Sequence, residues 1–278
     1  MTPLGAGRRR AAALVALVAC GVLVTAGCGG GPDPAGRGPS PAAETQADDG
    51  PRPLNVEESQ RLSLVRFSNF RTGVRAVRFD VADTGSHYGV TGWVDFTAGF
   101  GYTTVLEGRP GAETPFALVA WDAATISAHA PAGGTGAPPL PPPDVAADDP
   151  AWTSSPLSPD ASRLHAAMAT VLAAGNDRPD NPVLLQQTDA RWLRADEVDG
   201  VPVDVLTGPT SDHVYDPASG AADDGSDATV RYWIDHDGLL RRMELRLGGG
   251  AEWTVVDFGD APDVSFAETF RAAASAIS

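Results

Sequence analysis

The two cysteines, Cys20 and Cys28, are the residues of this sequence with the most distinctive chemistry. Cys20 lies in an uncharged apolar run, residues 11–24, which follows three arginines, and Cys28 ends the small-residue stretch Thr-Ala-Gly-Cys. This order is typical of a secretory signal peptide, because a membrane-spanning helix needs roughly 20 apolar residues. Removal of residues 1–27 would leave Cys28 as the only thiol of the mature chain. A disulfide, a redox pair and a thiolate metal site are therefore excluded from the folded part.

The segment VTAGC, residues 24–28, resembles the lipobox of bacterial lipoproteins, with Thr25 where that motif usually has Leu. The resemblance implies that a signal peptidase cleaves after Gly27 and that Cys28 carries a diacylglyceryl thioether. Two acyl chains anchor a protein stably, so the chain is expected at the extracytoplasmic face of the cell membrane. An ordinary secretory signal with an incidental cysteine is the alternative.

Other reactive side chains form no pattern that predicts catalysis. The segment DHDG, residues 235–238, is typical of a hairpin turn, because the third ligand and the later glutamate of a calcium loop are absent. The three aspartates in residues 218–228 are interpreted as a solvated loop. The five histidines show no metal-ligand spacing, and there is no nucleophile elbow or phosphate-binding loop. The sequence predicts a protein that is not an enzyme, with no catalytic residue, no metal and no cofactor.

The charge of the chain excludes one class of partner. All 20 basic residues are arginines, and the formal net charge of −16 becomes −19 without the three arginines of the signal. Such an acidic surface repels nucleic-acid phosphates and anionic head groups. We therefore expect no nucleic-acid partner and membrane contact only through the lipid anchor. No protein partner can be identified.

The composition divides the mature chain into two parts. Residues 28–53 are rich in Gly, Pro and Ala and nearly free of large apolar side chains, so they are predicted to be a lipidated N-terminus and a disordered tether. A flexible chain of this length has an r.m.s. reach of roughly 25–30 Å. Residues 54–278 are predicted to form one domain. Within it, the Pro-rich residues 131–150 are predicted to be a long surface loop, with a docking site for a partner as the alternative.

The domain is expected to consist mostly of strands. Apolar patterns predict strands over residues 74–83, 87–108, 115–122, 124–130, 190–196, 201–209 and 229–261, with hairpins at Asp237-Gly238 and at the three glycines from 248. Residues 58–70 could be a helix or a first strand. The clearest helix begins near Ser158 or Asp160 and ends at Gly175. The predicted class is α+β, with a largely antiparallel sheet and a few helices.

Two segments carry a family resemblance. YWIDHDGLLRRMELRL with the following WTVVDF, and residues 181–209, resemble bacterial lipoproteins of the LolA/LprG-like half-barrel type over roughly residues 55–265. The resemblance implies a curved, mostly antiparallel sheet with helices on its concave face. It also implies that a lipid or glycolipid ligand binds between sheet and helices.

A cavity of this kind needs an apolar lining on the sheet and on the helix that covers it. The candidate lining residues are Phe79, Val94, Phe96, Phe116 and Leu118 from the sheet and Leu164, Met168 and Val171 from the helix. The same residues could instead pack together as a solid core, and alternation alone does not separate these possibilities. The expected function is an anchored lipoprotein that binds a lipid or other hydrophobic ligand. The alternative is a non-catalytic envelope interaction or sensory module with a closed core.

Overall fold

The computed structural model describes residues 50–83, 85–109, 112, 114–130, 134–142, 152–209, 225–261, 263, 265–268 and 270, all within one compact unit that starts at Asp48. Cys28, the predicted signal peptide and most of the predicted tether lie outside the described residues. The elements are β1 (Arg52–Pro53), α1 (Val56–Thr72), β2 (Val74–Asp83), β3 (Ser86–Asp95), β4 (Phe100–Glu107), β5 (Thr114–Trp121), β6 (Thr125–His129), β7 (Trp152–Pro156), α2 (Arg163–Ala173), α3 (Pro182–Gln186), β8 (Arg191–Val198), β9 (Val201–Thr207), β10 (Val230–Asp235), β11 (Leu240–Arg246) and β12 (Trp253–Asp260).

The strands form one sheet in the order β1-β8-β9-β10-β11-β12-β2-β3-β4-β5-β6-β7, and all neighbouring pairs are antiparallel. The sheet is open and curved, with the helices on its concave face. The α+β half-barrel class predicted from the sequence, with a curved and mostly antiparallel sheet and a few helices on its concave face, is confirmed.

Both predicted hairpins are present. Asp237-Gly238 joins β10 to β11, and the glycines from 248 join β11 to β12. The carboxylate of Asp235 shapes the first turn, since it accepts hydrogen bonds from the backbone N–H groups of Asp237 and Leu239 and pairs with Arg241 at 2.7 Å. The DHDG segment is therefore a turn whose first aspartate is occupied by the protein itself.

Local capping explains where the helices begin. Asn55 and Glu58 form a reciprocal capping box at the start of α1, and this resolves residues 58–70 as helix. Helix α2 begins later than predicted, because Ser162 is its N-cap in place of Ser158 or Asp160. The Ser162 hydroxyl donates to Asp83 at 2.7 Å, which places a carboxylate at the positive end of the helix.

Two strands lie outside the sequence prediction. Arg52 and Pro53, which were assigned to the tether, pair with β8 as strand β1, and the exposed strand β7 follows the Pro-rich segment. Of that segment, residues 134–142 are described. Within the described part of the chain, no helix is long and apolar enough to cross a membrane.

The concave face carries the main core. Alternate residues of the central strands, such as Val77, Phe79 and Met243, pack there against Leu62 of α1 and Met168 of α2. Trp121 of β5 lies directly on Gly101 of the neighbouring strand, and its indole N–H donates to the Met168 carbonyl at 3.1 Å. A side chain at position 101 would displace this ring.

The convex face carries two smaller clusters. The first consists of sheet residues that include Trp93 and Tyr102, covered by Phe266 and Phe270 near the C-terminus. The second is formed by Leu193, Val198, Val203, Val205 and Trp233. Apolar residues therefore occupy both faces of several strands, so these strands do not follow a simple alternation.

A buried polar network joins α1 to the sheet. Arg75 is 1% exposed, and its guanidinium donates to the carbonyls of Gly259 and Leu240 and to the side-chain oxygen of Asn69. The Asn69 amide donates in turn to the Ala174 carbonyl, just after α2. Burial is the main cause that lowers the pKa of Arg75, to about 10, so the side chain stays charged at neutral pH.

Candidate functional site: an apolar groove beside helix α1

A groove of about 450 Å³ opens on the helix-bearing side of the sheet, between α1, α3 and the ends of β9 and β10. Its walls are mostly apolar. They are formed by Leu62, Val65, Arg66, Asp180, Asn181, Leu184, Leu185, Thr188, Gly208, Pro209, Val230 and Tyr232. The volume falls within the roughly 300–1,000 Å³ that is usual for small-molecule sites.

Backbone contacts fix the position of α1 relative to the segment after α2. The backbone N–H of Asp180 donates to the Ser63 carbonyl at 2.9 Å, and that of Asn176 donates to the Arg66 carbonyl at 3.0 Å. The side-chain oxygen of Asn181 then accepts from the first backbone N–H groups of α3, with a proline in the first turn. The groove therefore has one rigid wall, α1, and one short wall, α3.

Helix α3 exposes two large apolar side chains to solvent. Val183 and Leu184 are 58% and 59% exposed, while Leu185 packs partly against the main core. Five residues form little more than one helical turn, and none of them is buried. We expect α3 to be easier to displace than α1 or α2, because few apolar contacts hold it.

The mouth of the groove is polar. Arg66 and Asp180 approach to 3.5 Å between Nη1 and Oδ1, with side chains 39% and 37% exposed. The Arg66 Nε donates to the Ala173 carbonyl at 2.9 Å, which fixes one side of the guanidinium. Tyr232 lies beside them, and burial raises the pKa of its phenol. The phenol is therefore protonated at neutral pH and can donate a hydrogen bond.

Six of the eight predicted lining residues meet in the main core. Phe79, Val94, Phe96, Leu164, Met168 and Val171 share this cluster, each no more than 8% exposed. Helix α2 packs tightly here: a Cβ at Gly175 would lie within about 3 Å of the Phe96 side chain. In the structure these six side chains pack against one another.

The predicted placement of Phe116 and Leu118 on the same face is corrected. Leu118 lies in the convex-face cluster with Tyr102, and Phe116 is 45% exposed with its ring 6.2 Å from that of Tyr88. The strand PFALVAW has apolar residues at both odd and even positions, so alternation did not identify which side chains face the concave side of the sheet. The alternate residues Ala117, Val119 and Trp121 face the main core.

Sequence reasoning missed the walls of the groove. The available signal was NPVLLQQT, residues 181–188, where a capping Asn and a Pro precede a short apolar cluster bounded by polar residues. The predicted lining does not include Leu62 and Val65 of α1. Their contact with α3 depends on the turn at Asp180, which periodicity does not specify.

A second pocket on the surface is more polar than this groove. This pocket, of about 390 Å³, lies against β2 and β12 and includes Asp80, His87 and Glu252, where His87 Nε2 is 3.6 Å from Asp80. Among the described residues, no group of three His, Cys, Asp or Glu side chains could hold a metal ion. His165 accepts a hydrogen bond from the backbone N–H of Ser158, and burial lowers its pKa.

Comparison with known proteins gives only remote similarities. No protein-family model matches the chain, and no curated protein matches it. The Mycobacterium tuberculosis lipoprotein LppX is similar at 16% identity, over 76% of this chain and 97% of its own, with a TM-score of 0.36. MucB, in its complex with MucA(peri), is 12% identical over 76% of this chain and 59% of its own, with a TM-score of 0.30. A lipoprotein-sorting protein domain of Vibrio parahaemolyticus is 9% identical over 78% and 98%, with a TM-score of 0.27.

Proposed function

We propose that this chain is a lipoprotein, anchored at the extracytoplasmic face of the cell membrane through Cys28, that binds an apolar ligand in the groove beside α1. The observation that carries the proposal is the groove itself, a mostly apolar concavity of about 450 Å³ with a polar mouth. The lipobox resemblance supports the anchor. The groove has a rigid wall at α1 and a short wall at α3.

The physical driving force is the removal of apolar surface from water. Burial of a methylene contributes about 0.8 kcal/mol, so ten methylenes would contribute about 8 kcal/mol before the costs of association. In the free protein, Leu184 is more than half exposed. A ligand chain that covers it would therefore bury apolar surface on both partners.

A blocking substitution tests the site. Val230 is a groove residue on β10, so Val230→Trp should fill the space with an indole. The matched control is Val255→Trp, on β12, whose valine is 37% exposed on the opposite face. We expect native mass spectrometry to show uptake of added dodecanol by the parent and the control, and loss of uptake by Val230→Trp. Equal uptake by all three would refute this site.

The anchor needs a separate test. Cys28→Ser should release the chain from the membrane fraction, because the residue then carries no acyl chains. Unchanged retention would contradict lipidation and would leave the groove proposal intact.

The tightly packed core supports a second candidate function, an envelope interaction or sensory module without a ligand. In that case a partner would contact the Pro-rich residues 131–150. Deletion of this segment should then remove crosslinked envelope partners, and their persistence would count against the module. Ligand uptake that is blocked by Val230→Trp would favour the first candidate.

A further inference from the structure

We propose that the ligand of the groove is a single-chain amphiphile with an anionic head group, and that Arg66 binds this head group by exchanging Asp180 for it. The inference rests on the proposed function, since it names the ligand class of the same site.

The volume limits the number of chains. A methylene occupies about as much space as a water molecule in the liquid, roughly 30 Å³, so 450 Å³ corresponds to about 15 carbons. One acyl chain of medium length matches this volume. The main core offers no extension of the groove, because Val65 and the six predicted lining residues there are no more than 8% exposed.

The geometry of Arg66 favours an anion. Its Nε is held by the Ala173 carbonyl, while its Nη1 meets Asp180 in a long, partly exposed contact of 3.5 Å. Ion pairs of this exposure contribute about 0–1 kcal/mol. A carboxylate or phosphate that takes both terminal nitrogens of the planar fork would bind Arg66 better than Asp180 does. Arg66 is the only cationic side chain among the residues that line the groove in the described part of the chain.

The acidity of the whole chain does not cancel this local preference. At physiological ionic strength the Debye length is about 8 Å, so exposed charges beyond that distance are largely screened. The head group therefore responds mainly to Arg66 and Asp180. Tyr232, which remains protonated, and the amide of Asn181 supply further donors at the same mouth.

Two ligands that differ only in the head group test the inference. Dodecanoate and dodecanol are titrated calorimetrically at pH 8 and below their aggregation concentrations into the mature chain, residues 28–278, with Cys28→Ser for solubility. Arg66→Gln should weaken dodecanoate binding about tenfold, the value of one hydrogen bond to a charged group, and should change dodecanol binding less than twofold. Asp180→Asn should strengthen dodecanoate binding severalfold, because the competitor of the head group is neutralised. Arg66→Lys should restore only part of the lost affinity, because its ammonium keeps the charge but lacks the planar fork.

The controls separate the two proposals. Arg71→Gln removes the same charge from the exposed last turn of α1, outside the groove, and should leave both affinities unchanged. If dodecanol binds and Arg66→Gln leaves dodecanoate affinity unaltered, the anionic head group is refuted and the groove stands. If neither compound binds, or if Val230→Trp leaves binding intact, the groove proposal itself fails.

Discussion

The buried network around Arg75 gives the most quantitative prediction for the stability of the fold. Asn69 is fully buried and makes two hydrogen bonds, one to the Ala174 carbonyl at 2.8 Å and one from Arg75 Nη1 at 3.2 Å. Asn69→Ala removes both. The first bond contributes about 1 kcal/mol, and the bond to a charged group contributes about 1.5–3 kcal/mol. We therefore expect the free energy of unfolding to fall by about 2.5–4 kcal/mol.

A double-mutant cycle isolates the part that belongs to the pair. Arg75→Met removes the buried charge together with the desolvation cost that lowers its pKa. In the double variant no guanidinium is left without its acceptor. The double variant should therefore lose less free energy of unfolding than the sum of the losses in the two single variants, by about 1.5–2 kcal/mol.

Urea unfolding followed by tryptophan fluorescence measures these values, since several tryptophans lie in the sheet. Thr72→Ala, which removes an exposed hydroxyl bonded to the Ser68 carbonyl at the end of α1, is the control and should change stability by less than about 0.5 kcal/mol. Additive losses in the cycle would show that the 3.2 Å contact between Asn69 and Arg75 contributes nothing, and would refute the network as a connection between α1 and β2.

Three further predictions concern single positions. His165→Gln should flatten the pH dependence of the unfolding free energy between pH 7 and 5. In the parent protein, burial lowers the pKa of His165 in the folded state. The stability of the parent therefore falls as the pH drops through the unfolded-state pKa of about 6.5. Gly101→Ala should cost about 1–3 kcal/mol in urea unfolding, because Trp121 must move, whereas Gly134→Ala, with open space around it, should be neutral. Asn55→Ala should cost about 1 kcal/mol through loss of the cap of α1, and an unchanged melting temperature would contradict the capping box.

Much of the sheet was predictable because its strands are joined by short turns with clear chemistry. The Asp237-Gly238 step and the alternation of Met243 and Leu245 with charged residues predicted the hairpin of β10 and β11. β1 and β7 were not predictable in this way. β1 has two residues and is stabilised by contacts with β8 and α1. Arg52 lies 4.5 Å from the Trp192 ring of β8 and pairs with Glu58 of α1 at 2.6 Å.

The sequence predicted the type of the candidate site but not its position. The sequence indicated an apolar concavity between sheet and helix, but it assigned the lining to α2, which has the stronger helical pattern. Strong periodicity marks the helix that packs most completely, and a completely packed helix leaves no space for a ligand. The groove instead lies beside α3, where Val183 and Leu184 remain exposed because the helix is too short to bury them.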